Sequence, residues 1–306
     1  MNILVTGGSG FLGSHVSDVL SDAGHAVTIL DITPSPWLRP DQTMVTGDLM
    51  DHGQLDELTQ GMDVIYHFAG IADIDECIKR PVDTAQINIL GTVMLLEAAR
   101  KAAINRFVFA SSAYVYSDLG SFYRTSKQAC ESYIENYAEL YGLKYTCLRY
   151  GSLYGPRADE RNGVYRLIKQ AVQDQKIVYY GTGEEQREYI HVLDAARSSL
   201  EILGHEYENT HIVLTGNLKM RSADILEMIN EMLGNNIKID FSPSLHTAHY
   251  KITPYNFSPK LGRKLVSNPH IDLGQGLLQC MAGIYEQIHQ EKSEEMGVLM
   301  NGKPSL

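Results

Sequence analysis

Three tyrosines and one lysine stand close together in the stretch from Ser111 to Lys127: Tyr114, Tyr116, Tyr123 and Lys127. A tyrosine has an ordinary pKa near ~10 and becomes a base at neutral pH only where something favours its phenolate. An ammonium one helical turn away does so, and Tyr123 and Lys127 are spaced i, i+4, on one face of a helix that holds both. Cys130, Ile134, Tyr137, Ala138 and Tyr141 make an apolar stripe before Gly142, and Lys127 and Tyr123 continue that stripe backwards. A lysine on an inward face must meet a polar group, because an unpaired buried ammonium is costly. Tyr123 is therefore the expected base and Lys127 its activator, able also to hold a cofactor ribose. Tyr114 and Tyr116 alternate across the end of a strand with no such partner. Tyr116 reads as packing and Tyr114 stays open. Ser112 ends the same strand, where it could bond a substrate hydroxyl or simply cap a turn.

The second chemical signal is VTGGSGFLGSH, which sets Gly7, Gly10 and Gly13 between an apolar run, Asn2 to Thr6, and helically spaced Leu12, Val16, Val19, Leu20 and Ala23. A strand, a bare glycine turn and a helix N-terminus are what a dinucleotide pyrophosphate needs. Asp31 closes the next strand, Val27 to Leu30, where a carboxylate takes ribose hydroxyls and repels a 2'-phosphate. No Arg or Lys follows it before Arg39, so NAD is expected rather than NADP.

These residues need a frame to carry them. Short apolar strands recur at Val64 to Phe68, Phe107 to Ala110 and Tyr145 to Leu148, with helical segments at Asn88 to Ala103 and Tyr123 to Tyr141 between them. The alternation predicts an α/β fold, a Rossmann-type doubly wound parallel sheet. After about Gly155 the elements shorten: helices at Tyr165 to Gln173, Val192 to Leu203, Ser222 to Leu233 and Gly274 to His289, with strands at Lys176 to Tyr179 and Ile237 to Phe241. This predicts a smaller C-terminal α/β substrate lobe. The expected division is 1–155 for NAD, 156–290 mainly for substrate with the chain crossing back, and a flexible tail at 291–306.

Composition narrows the function classes. The chain has 306 residues and 26 Lys+Arg against 37 Asp+Glu, a net charge of -11, which disfavours a nucleic-acid partner. Cys77, Cys130, Cys147 and Cys280 are far apart with no C-x-x-C pairing, so a reduced, cytoplasmic protein without a metal site is expected. The start lacks a charged n-region and no apolar run approaches ~18 residues, so neither a signal peptide nor a membrane span is expected.

In order along the chain, TGGSGFLG, Asp31, GDLMD (Gly47 to Asp51), HFAG (His67 to Gly70), NILGT (Asn88 to Thr92), SSAYVYS, Tyr123-x-x-x-Lys127, RYGSLYGPR (Arg149 to Arg157) and REYIHVLDAA (Arg187 to Ala196) resemble the extended short-chain dehydrogenase/reductase family, in its nucleotide-sugar epimerase branch. The resemblance implies an NAD site at Gly7, Gly10, Phe11, Leu12, Gly13 and Asp31, with Asp48 and Leu49 near the adenine. It adds Phe68, Ala69 and Gly70 along the pyrophosphate, and Asn88, Tyr123, Lys127 and Tyr150. It implies a catalytic Ser112, Tyr123 and Lys127, supported by Asn88. Substrate would meet Ser112, Ala113, Tyr123, Ser152, Arg157, Tyr180, Arg187 and Tyr189, with Arg187 gripping a diphosphate. The bland alternative for Arg187 is a surface bridge to Glu184 or Glu185.

The implied activity is epimerisation of a nucleotide-diphosphate sugar, of UDP type and at C4, through a keto-sugar, by a homodimer built on the helices Asn88 to Ala103 and Tyr123 to Tyr141. Cell-surface polysaccharide precursors are the usual destination. Alternatives are a nucleotide-sugar oxidoreductase with net nicotinamide turnover, and a non-catalytic NAD-sensing protein. Several positions depart from the family pattern. Ala113 and Tyr114 stand where dehydratases and decarboxylases carry an acid, Ser117 replaces a glycine, Ser152 an asparagine, and His246 to Gly262 matches only loosely. The stretch from Tyr116 to Tyr123 is short, so the sugar pocket is expected to be wider or completed by another segment.

Overall fold

Apolar residues on both sides of successive strands force the architecture. In the computed structural model, which describes residues 1–216 and 219–242 together with His249 and Ile252, the elements follow in this order. The first half runs β1 (Asn2–Thr6), α1 (Phe11–Asp22), β2 (Ala26–Asp31), β3 (Gln42–Thr46), α2 (His52–Leu58), β4 (Val64–His67), α3 (Ile74–Lys79) and α4 (Pro81–Thr84). Next come α5 (Gly91–Lys101), β5 (Arg106–Ser112), α6 (Ser121–Tyr141), β6 (Tyr145–Tyr150) and β7 (Ser152–Tyr154). The rest is α7 (Gly163–Asp174), β8 (Lys176–Tyr180), β9 (Gln186–His191), α8 (Val192–Glu201), β10 (Thr210–Leu214), β11 (Lys219–Arg221), α9 (Ser222–Met232) and β12 (Lys238–Ser242). The described residues belong to one compact unit, Met1–Ser258.

Seven strands form one parallel sheet in the order β10-β6-β5-β4-β1-β2-β3. Period-two alternation gives each strand two buried faces. Leu4, Ile65, Phe107, Phe109 and Cys147 pack on one side with Leu95, Leu96, Cys130 and Ile134 of α5 and α6. Ile3, Val5, Tyr66, Val108 and Leu148 pack on the other with Val16 and Leu20 of α1 and Ala195 and Ala196 of α8. This is the doubly wound Rossmann-like sheet. The chain leaves it after β6 and returns as β10, which pairs with β6. Outside it stand a three-stranded sheet, β11-β9-β7, and the parallel pair β12-β8, which packs with α7 and α9 around Ala171, Ile177, Leu226 and Ile229.

The strand order reverses at β1, with β2 on one side and β4 on the other, so a crevice opens at the carboxyl ends of β1 and β4. Three elements differ from the expected ones. The helix expected from Asn88 starts at Gly91 and is preceded by a π-helical turn, Ala85–Leu90, which contains Asn88. Tyr114 and Tyr116 do not alternate on a strand: they lie in a 3-10 turn, Ala113–Tyr116, which Ser112 caps. Tyr141 is 56% exposed because the last turn of α6 runs past the core, where its ring meets Tyr137 and Arg100. Gly142 then ends the helix with φ +71°.

Cys77, Cys130 and Cys147 are buried free thiols. Cys280, the helix expected at Gly274 to His289 and the tail from Glu291 lie outside the described residues, as does most of His246 to Gly262. Among the described residues no helix is long and apolar enough to cross a membrane. Leu95 is fully buried under the sheet, so Leu95→Ala is expected to lower unfolding stability by about 3 kcal/mol in urea denaturation. A loss below about 0.5 kcal/mol would contradict this account of the core.

Candidate active site

The glycine loop is built on close approach. Gly7, just past β1, takes φ +74°, and a Cβ there would lie 2.5 Å from the Ala69 amide nitrogen. A Cβ on Gly13 would lie 2.3 Å from the Gly7 carbonyl oxygen, so α1 can sit against the turn only without a side chain. Gly10 stands at the N-cap of α1 and offers no side-chain cap, which leaves the first-turn amides for an anion. Phe11 and Leu12 start the helix. Asp31 closes β2 and accepts from the Ser9 amide at 3.0 Å and the Thr33 amide at 3.2 Å, which fixes its carboxylate beside the loop. Arg39 is held by Asp22 and Asp41. A bare pyrophosphate cradle ending at a carboxylate fits NAD.

Across the crevice, Gly70 takes φ +148° and a Cβ on it would meet Asn88 Oδ1 at 2.8 Å. Asn88 is buried. Its Oδ1 accepts from the Ile71 amide at 2.7 Å, and its Nδ2 donates to Ile71 O and Ser126 Oγ at 3.0 and 3.1 Å. The π-helical turn aims this side chain at the strand end, a use such turns often serve. Behind it His67 bridges Thr6 Oγ1 at 2.7 Å and Thr92 Oγ1 at 2.8 Å, and burial, helped by the Lys127 charge, pushes its pKa down to about 3. Phe68 stacks on Tyr66, Asp48 caps its own turn through the Met50 amide, and Leu49 is a core residue.

Lys127 and Tyr123 lie on the inner face of α6. Lys127 is buried, donates to the Ala110 carbonyl at 2.7 Å, and sits over the Phe109 ring at 4.7 Å and the Tyr123 ring at 5.8 Å. Burial lowers its pKa from the ordinary lysine value. Ser112 Oγ accepts from the Tyr114 amide at 3.3 Å, so it does cap the turn, at the mouth of β5. Ala113 is buried beside it.

Beneath this group runs a buried ionic network that sequence reading missed. Glu131, one turn after Lys127, accepts from Ser111 Oγ at 2.6 Å and from Arg149 Nε and Nη2 at 3.0 and 2.7 Å. Arg149 also donates to the Tyr116 hydroxyl and lies over its ring at 4.7 Å. Tyr116 is thus a structural tyrosine that ties the turn to β6. Glu131, Cys147 and His211 have ligand atoms within 4.8 Å of one another, but Arg149 and Ser111 already occupy the carboxylate. The i, i+4 spacing of Lys127 and Glu131 was the available signal.

Two expected site residues are placed elsewhere. The Tyr150 side chain points into the core, its hydroxyl 2.6 Å from Ser199 Oγ, because β6 alternation turns it toward α8. Arg157 takes φ +65° after Gly155, and this turns it back onto α1, where it pairs with Asp18 at 2.7 Å and covers the Trp37 ring at 4.9 Å. Arg187 and Tyr189 share one face of β9, with Ser152 of β7 opposite Tyr189 and Met220 of β11 opposite Arg187. Glu185 bonds Thr182, Gly183 and Tyr179, and Glu184 pairs with Arg221. Tyr180 ends β8 and is exposed.

Gly13→Ala is expected to abolish NAD binding in calorimetric titration, whereas Gly53→Ala, whose Cβ would meet nothing closer than 3.6 Å, is expected to bind normally. Equal affinities would contradict the cradle. Residues 3–215 match the model of the NAD dependent epimerase/dehydratase family. A putative UDP-glucose 4-epimerase of Methanocaldococcus jannaschii is 32% identical over 298 residues, covering 90% of this chain and 95% of that protein. A UDP-N-acetyl-alpha-D-glucosaminuronate decarboxylase of Bacillus cytotoxicus is 28% identical over 91% of this chain and 96% of its own length. The crystal structure of a Thermotoga maritima UDP-glucose 4-epimerase with UDP-glucose superposes with TM-score 0.78 at 26% identity, covering 84% of this chain and 90% of that one. With its glycine cradle and its Tyr123–Lys127 pair, the chain belongs to the NAD dependent epimerase/dehydratase family, whose members are epimerases and related decarboxylases and dehydratases of nucleotide sugars.

Proposed function

We propose that this protein is an NAD-dependent 4-epimerase of a UDP-sugar that works through a transient keto-sugar. The observation that carries the reading is the Tyr123–Lys127 pair on the inner face of α6, with Ser112 at the end of β5 and no carboxylate at the two positions after it. Family dehydratases and decarboxylases carry an acidic residue at these positions, and Ala113 and Tyr114 offer no carboxylate. When bound, NAD supplies a reversible hydride acceptor. Tyr123 takes the proton of the sugar hydroxyl at its phenolic oxygen and later returns one. Lys127 favours the phenolate by its charge and holds the cofactor ribose. Ser112 Oγ bonds the same hydroxyl. Asp31 takes the adenosine ribose hydroxyls, and the amides at the start of α1 face the pyrophosphate. Arg187 and Tyr189 grip the diphosphate of the substrate, the guanidinium through paired bonds.

In this reading residues 1–155, with β10 and α8, hold the cofactor, and 156–290 mainly hold the nucleotide sugar. Exposed apolar residues on α4, on the π-helical turn before α5 and on α6, namely Val82, Leu90, Tyr133 and Leu140, support a homodimer through the segment Asn88 to Ala103 and α6. A cytoplasmic supply of precursors for surface polysaccharides fits the reduced cysteines and the substrate class.

Proton NMR of UDP-hexoses, UDP-N-acetylhexosamines and UDP-hexuronic acids, incubated with the protein and trace NAD, is expected to give one new anomeric doublet without net reduction of the nicotinamide. Tyr123→Phe is expected to cut kcat by about a hundred- to ten-thousand-fold. Net nicotinamide reduction would point to an oxidoreductase, and an unimpaired Tyr123→Phe would contradict the assigned base. Light scattering after size exclusion is expected to report a dimer, and a monomer would refute that part.

A further inference from the structure

The short connection between the 3-10 turn and α6 is folded around one side chain. Gly120 takes φ +98° and Ser121 φ +47°, two successive left-handed residues that start α6 abruptly. A Cβ on Gly120 would lie 2.6 Å from Tyr114 Cδ1, so the glycine makes room for the Tyr114 ring. The loop is tied down on either side: Leu119 N donates to Ser117 Oγ, Arg124 Nη1 to Ser117 O, and Gln128 Nε2 to Val115 O. Held in this way, the Tyr114 ring stands edge-on to the Tyr123 ring, with centroids 6.2 Å apart and planes at 83°. Its hydroxyl lies 2.9 Å from His249 Nδ1, and the two rings are 6.3 Å apart. His249 comes from the segment that follows β12, so a residue distant in sequence reaches the candidate base through one intermediate side chain.

We infer that Tyr114 and His249 form a positioning pair that closes the sugar end of the cleft and holds the Tyr123 ring, in the place a longer loop would fill. The inference rests on the nucleotide-sugar reading of the site and adds to it what shapes the sugar subsite. An edge-to-face contact fixes the tilt of the Tyr123 ring through its edge and face rather than through its hydroxyl. The imidazole and the phenol each present a polar edge there, suited to the hydroxyl or substituent oxygens of a hexose rather than to a bare methylene. The nucleotide is recognised elsewhere, on β9, so the pair should act on the sugar increment of affinity alone.

Calorimetric titration with UDP and with UDP-glucose, on the wild type, Tyr114→Phe, His249→Gln and the double variant, separates these roles. UDP affinity is expected to be equal in all four proteins. UDP-glucose affinity is expected to fall about tenfold in each single variant, the worth of one hydrogen bond in a closed site, and no further in the double variant. During turnover KM should rise with kcat within about threefold, whereas Tyr114→Ala, which also removes the ring from Tyr123, should lower kcat as well. Unchanged UDP-glucose affinity in the variants, or fully additive losses, would overturn the pair and leave the epimerase reading standing. A wild type that binds neither nucleotide would fail the nucleotide-sugar reading instead. The His249 ring resonances then decide on the pair without ligand: a shift on Tyr114→Phe supports it and none refutes it.

Discussion

The buried ammonium of Lys127 constrains the rest of the site. Removing a charge from water costs several kcal/mol, and one carbonyl bond with one aromatic face returns only about 2 kcal/mol of it. Burial accordingly lowers the Lys127 pKa. Between that lowered value and the ordinary 10.5, the unfolded chain still binds a proton that the folded chain has released, so stability rises with pH across that window. What the fold gains is a buried cation held by one carbonyl beside the Tyr123 ring, where, in the proposed reading, phenolate and ribose hydroxyls are its further partners.

Holding that cation requires the surrounding polar residues to be fixed. Glu131 lies one turn further along α6 and is spent on Arg149 and Ser111 rather than on Lys127. Its pairing locks β5, β6 and α6 together below the site, and Arg149 extends the lock to the turn through Tyr116. A buried pair of this kind adds little net stability against an apolar replacement, yet losing one partner strands the other. The glycine loop obeys the same logic from the other side: close contact of Gly13 with Gly7 brings α1 down so that its N-terminus faces the crevice.

The features legible in the sequence were those set by local spacing. The first strand, the glycine turn and α1 are contiguous, and the i, i+4 relation of Tyr123 and Lys127 survives in any helix, so these were readable directly. Asp31 was placed by its position at a strand end. Long-range pairs were not readable. Nothing near Tyr114 announces His249, and the partner of Tyr116 is Arg149 on the neighbouring strand β6. Tyr150 was assigned to the cofactor from its motif, but strand alternation turned its side chain into the core. Arg157 lies on α1 against Asp18, and its own left-handed backbone, two residues after Gly155, is a conformation that leaves no trace in the motif. The π-helical turn that aims Asn88 depends on one extra residue per turn, which leaves no periodic trace in so short a segment.

In the proposed reading, these elements converge on a site where one proton-transfer residue, Tyr123, serves oxidation and reduction at a single carbon. The most direct test is to follow a UDP-sugar deuterated at C4 through to its epimer. The account predicts that the deuterium stays at C4 of the product, transferred off that carbon and back to its other face within one enzyme. Loss of the label to solvent, or its appearance in free nicotinamide, would contradict it.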